Sequence, residues 1–183
     1  MSIDPRDLKA PNPEQWDEYD KPRPLVPTGR YTGKAPEKFI FEADGDGFMR
    51  VVLDTIQLVD VPSGYKDQVR FERLSAKPRE KGRLAGTSRL TDYLLATGTE
   101  PVRSEDPEEW ARAVEQTAGA LIEFFLDWRA YDSETQESLA DTMTDFPIDP
   151  KTGEHQTWIA NPKTGRRVPA QYRVRYFVRQ RSR

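Results

Sequence analysis

The sequence predicts a mainly β fold with a helical insertion, in the element order β-β-β-α-β-β. Three observations carry that reading. Residues 49–59, 68–74, 121–131 and 171–179 are rich in Val, Ile, Leu and aromatic side chains, the composition of strands, and the last two alternate in polarity. Turns containing Gly or Pro separate the first strands. Between residues 87 and 119 the apolar spacing changes to three and four, the period of a helix.

Residues 1–28 hold Pro5, Pro11, Pro13, Pro22, Pro24 and Pro27 and few apolar side chains. Proline at that density removes backbone donors and blocks helices and inner strands, so an extended or disordered arm is expected. Trp16 and Tyr19 within it are expected to dock on the body. The body, residues 29–183, opens on Arg30–Lys34 and Phe39–Glu42, read as one strand broken by Pro36. Asp44-Gly45-Asp46-Gly47 is a tight-hairpin signal, because Gly supplies the positive φ such turns need. Met49–Val59 follows as a long strand, Pro62-Ser63-Gly64 as a turn, and Gln68–Leu74 as a third strand with Val69 and Phe71 on one face. Ser88 or Thr87 caps a helix whose inner positions are Leu90, Tyr93 and Leu94, with Gly98 as its stop. Asp106 caps a second helix, with Pro107 at its first position and Glu109 at capping-box spacing. Leu121–Tyr131 is a strand. Residues 132–168 form a long polar insertion read as a projecting hairpin, with the similar turns Asp149-Pro150-Lys151-Thr152-Gly153 and Asn161-Pro162-Lys163-Thr164-Gly165. Gln171–Arg179 closes the domain. Alternation puts Tyr172, Val174 and Tyr176 on one side and Arg173, Arg175, Phe177 and Arg179 on the other. Three strands, a helical segment and two strands describe a five-stranded OB-like Greek-key barrel with a long hairpin before its last strand.

Composition removes several classes of function. There is no Cys and a single His, His155. Disulfides, thiolate catalysis and Cys- or His-rich metal centres are therefore excluded, and His155 in a turn-rich loop reads as a surface residue. Asp44 to Gly47 resembles the start of a calcium loop but lacks the closing carboxylate, and Lys81–Ser88 lacks the Gly-Lys-Ser/Thr ending of a phosphate loop. No cofactor, no metal and no enzymatic activity are expected. No apolar run is long enough to span a bilayer and the first residues lack a signal-peptide core, so a cytoplasmic protein without membrane association is expected.

The formal net charge of −3 hides segregation. Residues 66–90 carry net +5, residues 98–149 net −11 and residues 150–183 net +8. Two basic stretches converging in the fold would make a polyanion-binding face.

Gly29-Arg30-Tyr31, the Asp44–Gly47 hairpin, the basic third strand, the helix at Ser88–Thr97 and the junction Gln116–Ile122 resemble phage-encoded single-stranded-DNA-binding proteins of OB-fold type. The likeness rests on element order across residues 29–131 and 170–179. It departs from that group at Arg179-Gln180-Arg181-Ser182-Arg183, basic where many members carry an acidic, partner-recruiting tail. The resemblance implies largely sequence-independent single-stranded-DNA binding in phage replication or recombination, in the host cytoplasm. Replication or recombination proteins and further copies of the chain are the additional partners it implies.

Single-strand binding needs cations that follow the phosphates and flat rings on which bases stack. The candidates are Tyr65, Arg70, Arg73, Lys77, Arg79, Lys81 and Arg83 around the third strand. Trp158, Lys163, Arg166 and Arg167 come from the long hairpin, and Arg173, Arg175 and Phe177 from the last strand. A rival expectation is a phage structural or adaptor protein that assembles through its arm and its charged faces.

Overall fold

The computed structural model describes residues 23–180. Trp16, Tyr19 and most of the Pro-rich arm therefore lie outside the described residues. The part of the arm that is described packs on the body: Leu25 and Val26 are buried in the core. The Val26 amide donates to the Tyr172 hydroxyl at 2.8 Å, and the Val26 carbonyl accepts the Trp128 indole N–H at 2.8 Å.

Among the described residues nine strands and two helices follow. Strands β1 (Gly29–Lys34) and β2 (Ile40–Ala43) are two pieces interrupted around Pro36, as expected. β3 (Met49–Val59) and β4 (Gln68–Ser75) come next, then α1 (Arg89–Ala96) and α2 (Pro107–Glu115). β5 (Leu121–Asp132) and β6 (Glu137–Ala140) precede a 3-10 turn at Met143–Asp145. β7 (Trp158–Ala160), β8 (Arg167–Pro169) and β9 (Gln171–Phe177) are the last of the described elements.

Local chemistry sets these elements. Gly47 has φ +83, and the Asp44 carboxylate accepts the amides of Asp46 and Phe48, so the β2–β3 hairpin closes on its own side chain. The Ser88 hydroxyl caps α1 by accepting the Thr91 amide, and Asp106 caps α2 by accepting the Glu108 amide. The two similar turns are built alike: Asp149 and Asn161 each accept the amide two residues on, from Lys151 and Lys163. β7 and β8 form a separate two-stranded sheet across the turn at Asn161–Gly165. β6, within the stretch whose polar composition predicts a loop, extends the ladder of β5.

The main sheet is antiparallel throughout. Its long strands run in the order β4-β3-β1-β5-β9, with β2 beside the first half of β3 and β6 beside the end of β5. The sheet is not closed into a barrel: among the described residues no ladder joins β4 to β9. α1 packs against both of these strands.

The core lies inside the curl of the sheet. Val51, Leu53, Ile56, Val69 and Leu74 meet Phe124, Leu126 and Val174 there, with Leu90, Tyr93 and Leu94 of α1 below. Each such side chain contributes roughly 1.5–3 kcal/mol by leaving water. Packing is tight enough to require Gly33, where a Cβ would come within 2.6 Å of the Ile56 side chain and 2.8 Å of the Phe124 ring.

Candidate functional site

Four successive antiparallel pairings make β4 and β9 run in the same direction on either side of an open seam. Two ties hold the seam. At one, the Tyr172 hydroxyl donates to the carbonyl of Lys66 at 2.7 Å, just ahead of β4. At the other, Arg89 of α1 reaches across. Its guanidinium donates to the Glu72 carboxylate at 2.5 Å and to the backbone carbonyls of Val174 and Arg175 at 2.5 and 3.3 Å. A planar guanidinium can serve three acceptors at once, and here it does the work of a missing strand ladder. It also compensates Glu72, which is buried.

Beside these ties the seam opens into a cavity of about 670 Å³ lined by Gln68, Arg70, Phe71, Arg73, Arg129, Tyr131, Ser133, Gln171 and Tyr172. A smaller hollow of about 250 Å³ continues it past Glu72, Arg89 and Arg173, sharing Phe71, Arg73 and Arg129. The two basic stretches thus meet, through Arg70 and Arg73 of β4 and Arg173 of β9.

These arginines are held loosely. Arg70 lies 3.7 Å from Asp54, Arg73 3.9 Å from Glu42 and Arg173 3.4 Å from Asp141. Exposed pairs of that kind are worth about 0–1 kcal/mol, so each cation can exchange its carboxylate for a phosphate. Arg129 forms no ion pair among the described residues, and its buried Nε has no hydrogen-bond partner there.

Phe71 supplies a ring to the same groove. Alternation from Val69 would send it inward, yet it is 49% exposed, while Glu72 and Leu74 are buried. The cause is a backbone φ of +54 in mid-strand, which turns the side chain out. That conformation costs a bulky residue about 1–3 kcal/mol, and such strain tends to persist at sites that use it. The Arg70 guanidinium carbon lies 5.0 Å from the ring centroid. Alternation along the sequence places Phe71 on the face of Val69; the positive φ reverses it.

Phe177 is corrected in the opposite sense. The β5–β9 register shifts between Phe125 and Leu126, leaving Arg175 as the extra residue of a bulge. Beyond it Tyr176 faces outward and stacks on Phe125 at 5.2 Å, while Phe177 turns into the core. There it meets Tyr93 and Phe124 edge-on, with Arg89 5.6 Å from its ring centroid, so it presents no face to a ligand. Arg175 is committed as well. It donates to Asp127 at 3.1 Å and to the Asp141 carbonyl at 2.5 Å. Burial raises the Asp127 pKa, but hydrogen bonds from the Thr28 hydroxyl, the Met143 and Trp128 amides and Arg175 outweigh it. The carboxyl is held below its usual range.

Other predicted residues lie away from the seam cavity. Tyr65 lines a different hollow with Leu25, Trp128 and His155. Lys77 pairs with Asp46 at the hairpin tip. Arg79 and Arg179 share Asp92 at 2.7 and 3.3 Å. Lys81 and Arg83 are exposed in the loop after β4. In the long hairpin, Lys163 pairs with Glu137 and Arg166 with Glu134 and Asp132. Trp158 is covered by the guanidinium of Arg167, 4.3 Å from its ring centroid.

Arg89, Arg129 and Tyr131 were not among the candidates. Arg129 and Tyr131 carry a legible signal. They alternate with Phe125 on the outward face of β5, a cation and two rings in a stretch otherwise dominated by acids. Among the described residues no group of three or more His, Asp or Glu side chains is placed to hold a metal ion, and no helix is long and apolar enough to cross a membrane. Comparison of the chain with protein-family models, curated proteins and solved structures finds no match.

Proposed function

We propose that the chain is a non-catalytic single-stranded nucleic-acid-binding protein with an OB-like architecture, and that the β4–β9 seam is its groove. The observation that carries this reading is the convergence of Arg70, Arg73, Arg129 and Arg173 with the exposed ring of Phe71 in one connected hollow. Cations spaced along a groove bind the backbone of any sequence, and a ring stacks any base. The strand order β4-β3-β1-β5-β9, with α1 spanning its open side, supports the OB-like assignment. Coating strands exposed during replication or recombination, as the resemblance implies, is the role that fits such binding. The test is a fluorescence-anisotropy titration of labelled oligo(dT) at two ionic strengths. Saturable binding that weakens steeply with salt is expected; no saturable binding at low salt overturns the proposal.

One surface favours a second reading, assembly as a structural or adaptor protein. β2 is an edge strand with all four residues exposed, and Ile40, Phe41 and Phe48 are exposed apolar side chains on the β2–β3 hairpin. Sedimentation of the protein alone separates the two: assembly without nucleic acid supports the second reading, and a monomer removes it.

A further inference from the structure

We propose that the wider end of the seam is a seat for one nucleotide unit, with its phosphate on Arg129 and its base on the rings of Phe71 and Tyr131. This rests on the reading of the seam as a single-strand groove and adds a defined subsite to it.

Arg129 is the reason to place a phosphate there. Arg70, Arg73, Arg89 and Arg173 each have a carboxylate within 4 Å. Arg129 has none among the described residues, and its Nε–H is buried without an acceptor. A guanidinium always stays charged and presents fixed, planar donors, so the acceptor that suits it best is a second planar pair of anionic oxygens, as a phosphodiester offers. No carboxylate lines the wider cavity to compete for it, whereas three arginines do. The charge of this pocket therefore selects an anion.

Its shape and remaining lining select a nucleotide over a bare ion. The volume of about 670 Å³ falls within the range of small-molecule sites. Phe71 and Tyr131 enter from β4 and β5, 49% and 48% exposed. Gln171 and Ser133 add an amide and a hydroxyl that can bond sugar or base edges. A strand laid along the seam would thread one unit into this pocket while its neighbours pass over Arg173 and Arg89.

The experiment uses the full chain and labelled oligo(dT). Wild type is compared with Arg129→Gln, Arg129→Lys and, as a control on the exposed face of α2, Arg112→Gln. Thymidine monophosphate, thymidine and inorganic phosphate are tested as competitors against wild type. The seat predicts that Arg129→Gln lowers affinity and reduces the magnitude of the log–log salt slope by about 0.7, one single-strand phosphate contact. Arg129→Lys fails to restore affinity, Arg112→Gln behaves as wild type, and the monophosphate competes better than either thymidine or phosphate. If wild type binds but the monophosphate competes no better than phosphate, or Arg129→Gln keeps its affinity and slope, the seat is overturned and the groove stands. If wild type does not bind oligo(dT) at low salt, both fall. The competition needs no variant, so misfolding of Arg129→Gln leaves it decisive.

Discussion

Phe71 combines a backbone strain and an exposed ring in one residue, and the two can be separated by substitution. Phe71→Ala removes the ring and keeps a side chain at φ +54. Phe71→Gly removes the ring and releases the backbone, because Gly accepts positive φ without a Cβ clash. Both variants should lose about 1–3 kcal/mol of oligo(dT) affinity, the worth of one stacked base. Phe71→Gly should nevertheless be more stable than Phe71→Ala by about 1 kcal/mol in urea unfolding. Affinity unchanged from wild type in both variants would remove Phe71 from the groove, and a less stable Gly variant would contradict the strain. Residues of this kind were the least legible in the sequence. Alternation assigned Phe71 inward and Phe177 outward, and both assignments invert, one through a positive φ and the other through a bulge at Arg175. Neither irregularity leaves a mark in a pattern of apolar and polar positions. Gly33 was equally silent, since its need for a missing Cβ comes from Ile56 and Phe124, far away in sequence.

At the level of elements, boundaries set by local chemistry were readable. Ser88, Asp106 and the Asp44–Gly47 turn do what their side chains dictate, and β3 spans the stretch its composition indicates. What joins elements across the fold was not, and Arg89 is the clearest case. From sequence it is one more cation at the start of a helix; in the fold it ties β4 to β9 through Glu72 and two carbonyls. Arg89→Met should cost about 3–5 kcal/mol, because it leaves the Glu72 carboxylate buried without its partner. Adding Glu72→Gln should recover part of that loss in urea unfolding. A single variant as stable as wild type would show that the seam holds without the tie. The join between β5, β9 and the 3-10 turn has an acid signature instead. Asp127 is held below its usual pKa range by the bonds that outweigh its burial. The Asn161 side chain does the same for Asp132, and the Asp141 and Thr142 amides for Asp145. A depressed folded pKa gives stability that is full above the unfolded carboxylate value of about 3.9 and is lost as pH falls through the folded value. Unfolding free energy should therefore be flat from pH about 7 to about 5 and fall below about 4. A decline already between pH about 7 and about 5 would contradict this assignment.

Over the whole molecule, the charge segregation seen in sequence resolves into two populations. The acidic stretch 98–149 and the basic stretch 150–183 neutralise each other in part, through Lys163–Glu137, Arg166–Asp132 and Arg175–Asp127. Charge counting could place two cationic stretches in the chain, but not tell which guanidinium groups were already committed. Four arginines at the seam, Arg70, Arg73, Arg129 and Arg173, remain exchangeable or unpaired. With about 0.7 counterions released per single-strand phosphate, they predict a log–log salt slope near −3. A slope two or three times steeper would mean that the hairpin and the loop after β4 also hold the strand.

Photocrosslinking of the full chain to oligo(dT), followed by peptide mapping, tests the placement of the groove most directly. Crosslinks are predicted at Phe71 and Tyr131, on the peptides carrying Arg70, Arg73 and Arg129. Crosslinks confined to Trp158 and its hairpin, with none on β4 or β5, would contradict it.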